Sequence, residues 1–302
     1  MKKIICIGEC SLNIVLDADG KPSGSMPGGR IANAAAMLAR LGINTVMASE
    51  AAADNVGDII VNFLADAGAD INSVDRFTEG RTPLNVFTTA AGGSTSLTRY
   101  ENYPDEAFDI IWPRIDPDDI VIFGGYYAID ARMRPRMLKL LAHAVERKAV
   151  MVYLPGYLPQ QEPRITRVMP AILENLEMAD IVITRNSDLS LIFGTKEPQD
   201  CYSDHIDFYC RSLVNINEAA GRISYFTGNE SSSVETGTAA ATSLLGNAGV
   251  VAGLCAAVFN GNIDKDTLEH PDANVRETLL KAAADNAALA TASLSESWQL
   301  IQ

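Results

Sequence analysis

The chain has 302 residues, 47% of them hydrophobic and 21% charged, the balance of a folded protein with a large core rather than a disordered or fibrous one. Its formal net charge of -14 repels phosphate backbones and anionic lipid, which excludes nucleic acid and membrane surfaces as partners unless a local basic patch exists, and none is visible. No apolar run approaches the roughly 20 residues of a bilayer span, and the opening MKKIICIGEC turns polar too soon for a signal peptide, so a cytoplasmic protein is expected. Five cysteines, odd in number and unpatterned, argue against a disulfide framework and fit a reducing compartment.

In chain order, IICIG from Ile4 is a short apolar run that reads as a buried strand. If Cys6 and Cys10 share that strand they stand about 13 Å apart, too far for one disulfide or one metal. LNIVLDADGKPSG follows as an antiparallel ribbon turning at Asp19 and Gly20. Pro27-Gly28-Gly29 then leads into the helical pattern IANAAAMLARLG, whose first turn carries Arg30 and Asn33. Two glycines let a ligand approach the backbone, and a helix N-terminus supplies free N–H groups, although an ordinary strand–helix turn explains the pair about as well. TVMASE from Thr45 is a second strand and IIVNFLADAG from Ile59 a helix; PLNVFTTAAGGSTSLTRYE forms a second ribbon turning at Gly92-Gly93.

Strands at IVIFGG from Ile120, VMVYL from Val150, DIVIT from Asp180 and ISYFTG from Ile223 alternate with helices at MLKLLAHAVERK from Met137 and MPAILENLEM from Met169. Cys201, His205 and Cys210 fit an amphipathic helix with two buried thiols better than a zinc site, which needs a fourth ligand and tighter spacing, so no metal ligand is assigned. The alternation predicts an α/β fold, a mostly parallel central sheet with helices on both faces. With no tandem repeat or linker, residues 1–302 read as one domain. The ribbons, at 11–26 and 82–103, pair into a small sheet that is a lid over a site or a homodimer contact.

The segment PGGRIANAAAMLARLG closely resembles the first signature of the PfkB family of carbohydrate kinases, which have a ribokinase-like fold. The resemblance implies that Gly28, Gly29 and Asn33 line a pocket for a sugar or nucleoside, and that ATP and Mg2+ are cofactors. IICIGECSLNIV is similar to the family's first strand and lid entry, with Asn13 where the family commonly has an Asp that contacts the sugar. RTPLNVF with TRYE resembles the second half of the lid, so Arg99 either reaches the ligand or is a solvated lid charge. ADIVITRN resembles the strand before an Asn-x-x-Glu motif, where Asn186 contacts nucleotide or caps the following helix. FTGNESS resembles a Thr-x-Gly strand end, which implies that Thr227 and Gly228 lie at the nucleotide. Gly246 and Asn247 fall in the anion-binding turn, or Gly246 and Gly249 merely permit close helix packing. LLKAAADNAALATASL resembles the family's closing helix, so the likeness covers roughly the whole chain.

The second signature departs. Where the family writes Gly-Ala-Gly-Asp, the Asp taking the acceptor hydroxyl's proton, this chain reads ATSLLGNAGVVAGLCAAVF. The base position falls on Ala248 or Gly249 according to register, so no catalytic residue is assigned. Leu189 stands at the motif's Glu position, Leu154-Pro155-Gly156-Tyr157-Leu158 replaces a family Asp-Pro-Asn-x-Arg, and the stretch from Gly228 to Gly246 is short. Two functions follow: a sugar- or nucleoside-binding protein with impaired or lost phosphoryl transfer, and alternatively an active ATP- and Mg2+-dependent sugar kinase with a substitute base.

Overall fold

The apolar runs become the inner strands of a nine-stranded sheet in this computed structural model, which describes residues 1–89, 95–105, 107–195 and 197–292. Strand β1 (Ile4–Ile7) leads into β2 (Ser11–Leu16) and β3 (Pro22–Gly28), then α1 (Arg30–Arg40), β4 (Thr45–Ala52), α2 (Asn55–Asp66) and β5 (Asp70–Phe77). Next come β6 (Arg81–Thr89), β7 (Thr95–Asn102), β8 (Ile120–Gly125), α3 (Arg134–Glu146), β9 (Val150–Pro155), α4 (Ile165–Met178), β10 (Ile181–Arg185) and α5 (Asn186–Phe193). A short α6 (Pro198–Cys201) runs into a π-helical turn over Tyr202–Ile206. The chain continues through β11 (Leu213–Asn217), β12 (Arg222–Thr227), β13 (Glu230–Glu235), α7 (Thr238–Thr242), α8 (Leu244–Asn260), α9 (Lys265–Glu269) and α10 (Ala273–Ala292).

The large sheet runs β13-β12-β11-β10-β9-β8-β1-β4-β5, parallel from β5 to β11 and antiparallel at β12 and β13. Because side chains alternate along a strand, β1 feeds two cores. Ile4 and Cys6 face α1, α2, α8 and α10; Ile5 and Ile7 face α3, α4 and α5. Three strands escape the sequence reading. β5 and β13 are edge strands with polar, half-exposed residues, and β11 is five residues interrupted by Asn215.

A second sheet, ordered β3-β2-β6-β7, stands off the body, with β2 and β6 parallel and its other pairs antiparallel. The Gly92-Gly93 turn lies outside the described residues. Asp54 fastens the root of this sheet: it caps α2 by accepting from the Gly57 N–H at 2.8 Å and accepts from the Thr82 hydroxyl, on β6, at 2.8 Å. Cys201 and Cys210 are buried free thiols, and His205 stacks on Phe193 with ring centroids 4.9 Å apart. Among the described residues no cluster of His, Cys, Asp and Glu is arranged to hold a metal, and no helix is long and apolar enough to cross a membrane.

Candidate functional site

A cavity of about 340 Å3 lies between the small sheet and the carboxyl ends of β8, β9 and β10, the edge at which open parallel sheets bind ligands. The start of α1 forms its floor, with Gly29, Arg30 and Asn33 in the lining. Gly28 does not line the cavity; its lack of a side chain makes room for neighbours that fix the site. A Cβ there would sit 2.4 Å from Asn13 Oδ1 and 2.5 Å from Ser11 Oγ. Gly29 has φ of 102°, and a Cβ on it would meet the Glu9 carbonyl at 2.3 Å. The glycine pair therefore shapes the turn that delivers Asn33.

Asn33 is 3% exposed, donates through Nδ2 to the Pro27 carbonyl at 3.3 Å, and has an Oδ1 with no partner. A buried amide oxygen left open beside a cavity is an acceptor set for a ligand hydroxyl. Across the small sheet, Asn13 pairs with Asn85, and Asn85 with Arg99. Asn85 Nδ2 donates to Asn13 Oδ1 at 2.9 Å and to Ser11 Oγ at 3.0 Å, while Arg99 donates to Asn85 Oδ1 at 3.1 Å. Arg99 also donates to Glu9 Oε2 at 3.0 Å and to Glu101 at 2.8 Å. Burial alone would lower the Arg99 guanidinium pKa; Glu9, Tyr103 and Glu101 outweigh it and raise it. Arg99 is thus neither a solvated charge nor part of the cavity lining: it stands behind Asn85 and Glu9 and holds them.

The Arg99 network reaches further. Its guanidinium lies 3.4 Å from the Tyr103 hydroxyl, which is 3.0 Å from the Tyr127 hydroxyl, and Tyr127 donates to the fully buried Glu50 at 3.4 Å. Glu50 also accepts from the Phe108 N–H at 2.5 Å. Burial pushes its carboxyl up to about 7, with Asp75 adding to the shift and the Phe108 and Tyr127 hydrogen bonds opposing it.

On the far wall, Asp188, 2% exposed, accepts from Arg30 at 3.0 Å and from Arg185 at 2.6 Å, and also from the Arg185 N–H at 3.0 Å. Burial works to raise the Asp188 carboxyl, and Arg185 and Arg30 override it and hold it below the usual range. This carboxylate at the third position of α5 makes Arg185 the cap residue, so Asn186 occupies the first helical position rather than the cap. Asn186 donates its N–H to Glu218 at 3.0 Å, and Ser187 its hydroxyl at 2.5 Å. The α5 N-terminus, where a phosphate would find free N–H groups, is thus held by the chain's own carboxylate. Leu189 is fully buried in the core beneath.

At the start of α8, Leu244 and Asn247 line the cavity, and the polar one is Asn247, an amide; Ala248 belongs to the core. Asn247 Nδ2 donates to the carbonyls of Ser243 at 2.8 Å and Ala241 at 3.2 Å. Gly246 gives its N–H to Ser243 Oγ at 2.8 Å. Gly249 faces α10, and a Cβ there would lie 2.7 Å from the Asn286 carbonyl, so this glycine serves close helix packing.

Thr227 and Gly228 are corrected. Because β12 runs antiparallel to β11, its end lies at the opposite edge of the sheet from Asn186, beside His270 and Arg276 in a separate cavity. Five charged or amide residues of the cavity escape the sequence reading. Glu9 and Asn85 sit beside quoted motif residues but take their partners from distant segments; Arg185 and Asp188 pair locally, three residues apart, and Arg30, in the glycine motif itself, meets Asp188 only through the fold.

Comparison with known proteins follows the same lines. The pfkB family of carbohydrate kinases matches over residues 1–205. A probable chloroplastic fructokinase-6 of Arabidopsis thaliana is 26% identical over 214 residues, 67% of this chain, and the chain spans about half, 55%, of that relative's length. Among solved structures, apo fructokinase from Vibrio cholerae O395 superposes with a TM-score of 0.78 at 19% identity, covering 97% of this chain and 99% of the other. Aminoimidazole riboside kinase from Salmonella enterica, complexed with aminoimidazole riboside and an ATP analogue, gives 0.77 at 16% identity over 99% and 96%. At these identities the structures establish the ribokinase-like fold alone, across nearly the whole length; the family assignment comes from the sequence match over more than half of the chain, and on that match the chain belongs to the PfkB family of carbohydrate kinases.

Proposed function

We propose that this protein binds a sugar or nucleoside beneath the small sheet and that its ATP-dependent phosphoryl transfer is impaired or lost. The observation that carries this reading is the amide of Asn247 at the cavity where α8 begins, with no carboxylate on the first turns of that helix. An amide cannot take up the acceptor's proton, and removing a general base costs about 10²–10⁴ in rate. The surroundings do not fit magnesium-bound ATP either. Asp188 and Glu218 are committed to Arg30, Arg185 and the α5 N-terminus, and Leu189 offers no oxygen, so no step is routed through the nucleotide. The polar rung formed by Asn13, Asn85 and the open Asn33 oxygen retains the means to hold a polyol.

One observation favours the alternative of an active kinase. Glu9 lines the cavity, Arg99 takes only its Oε2, and its Oε1 has a carboxylate oxygen's capacity to accept a proton. Calorimetric titration with sugars and nucleosides, with and without ATP–magnesium, tests the main reading. It expects polyol binding that ATP–magnesium neither requires nor strengthens; tight, coupled binding of both would overturn it. Asn33→Ala is expected to weaken the best ligand about fivefold, the worth of one hydrogen bond of about 1 kcal/mol, with the fold intact. Unchanged affinity would remove Asn33 from the site.

A further inference from the structure

The register of the small sheet divides the cavity into two chambers. Asn13, Asn85 and Arg99 stand abreast on β2, β6 and β7, and two residues further along, Phe87 stands abreast of Leu97 on the same face. Two residues of strand place the second rung about 6.8 Å from the first. The first rung is polar: Asn85 is held by Ser11, Asn13 and Arg99, and Asn33 Oδ1 is the open acceptor that the cavity offers a hydroxyl. The second is apolar: Phe87 and Leu97 both line the cavity, as do Tyr126, which follows β8, and Tyr157 and Leu158, which follow β9.

A bare sugar carries hydroxyls on every side and would strand those that enter the second chamber. A sugar joined to a flat, weakly polar ring satisfies both chambers at once. The charged wall adds a second restriction. Arg30 and Arg185 both pair with Asp188, so a phosphate or carboxylate on the ligand would have to compete with a carboxylate already bound to them.

We infer that the ligand is an uncharged nucleoside, its ribose under Asn13, Asn33 and Asn85 and its base between the Phe87–Leu97 rung and Tyr126. This rests on the polyol-binding reading above and narrows it to one class, with Phe87 as the residue that determines specificity. Base stacking on an aromatic ring is worth roughly one to two powers of ten in affinity.

The test is calorimetric titration of the full chain with adenosine, uridine, ribose, fructose and adenosine monophosphate, repeated on Phe87→Ala and Leu97→Ala. At least one nucleoside should bind more than about tenfold tighter than ribose. Both variants should erase most of that preference while leaving ribose within about twofold of its original affinity. A free sugar that binds as tightly as every nucleoside, or variants that weaken ribose and nucleoside equally, would overturn the inference. The monophosphate binding more tightly than adenosine would overturn the uncharged assignment. Failure of every compound to bind would instead remove the polyol reading on which the inference stands.

Discussion

Replacing Asp188 by asparagine is expected to lower the unfolding free energy by about 3 kcal/mol, read as a fall in the urea midpoint at unchanged slope. Asp188 is the single anion between Arg30, carried on α1, and Arg185, at the end of β10. Its removal leaves a guanidinium with 18% of its side-chain surface exposed facing a second one, with only Glu218, which is bonded to neither, as counter-charge, and the start of α5 loses the carboxylate that binds the Arg185 N–H. Breaking a buried pair by deleting one partner costs far more than the pair contributes, because the remaining charge stays desolvated. A loss below about 1 kcal/mol would mean that Arg30 and Arg185 are adequately solvated, and the closed-wall description would fail.

The second large effect is on pH. Glu50 is ordinarily expected to titrate near 4.5, and in the folded protein it is pushed up to about 7. The folded state therefore holds this proton more tightly than the unfolded one. Its stabilising effect is complete below about pH 4.5 and is lost as pH rises through 7. A shift of this size corresponds to about 3 kcal/mol between pH 5 and pH 8. Glu50→Gln keeps an acceptor for the Phe108 N–H and removes the titration, so it should flatten that part of the stability curve and exceed the parent in stability above pH 7. Parallel curves for parent and variant would show that Glu50 is not the titrating group. Through Tyr127 and Tyr103 the same carboxyl touches Arg99, so ligand affinity should be followed over the same range.

The inner strands were legible because a strand buried on both faces is mostly apolar; β1, β8, β9 and β10 read that way, and β4 does so over Val46–Ala48, before the buried Ser49 and Glu50. β5 and β13 were not, because an edge strand keeps polar residues on its open side. The Thr227–Gly228 error has the same physical root: a Thr-Gly at a strand end carries no record of strand direction. The four residues from Glu218 to Gly221 between β11 and β12 are hairpin length, a signal for the antiparallel turn that was available in the chain. Asn33 and Asn13, which the family resemblance singled out, both line the cavity. The bond from Asn85 to Asn13 and the pair of Arg30 with Asp188 were not legible in the chain, since each joins segments that only the fold brings together.

The absence of a carboxylate at α8 has a structural corollary. Asp in place of Asn247 would face the Ala241 and Ser243 carbonyls that now receive its amide, Asp at Gly249 would collide with α10, and Asp at Ala248 would enter the core. None of the three positions accepts the missing base without loss elsewhere, so single-residue repair should recover little.

Turnover of ATP–magnesium with a broad panel of sugar and nucleoside acceptors, for the parent chain, Asn247→Asp and Glu9→Gln, tests the central claim most directly. The expected result is turnover by the parent at least about a hundredfold below that of working kinases, or none, and no rise with Asn247→Asp. Phosphorylation by the parent at the 1–100 s⁻¹ of working kinases, abolished by Glu9→Gln, would contradict the claim and identify Glu9 as the base in use.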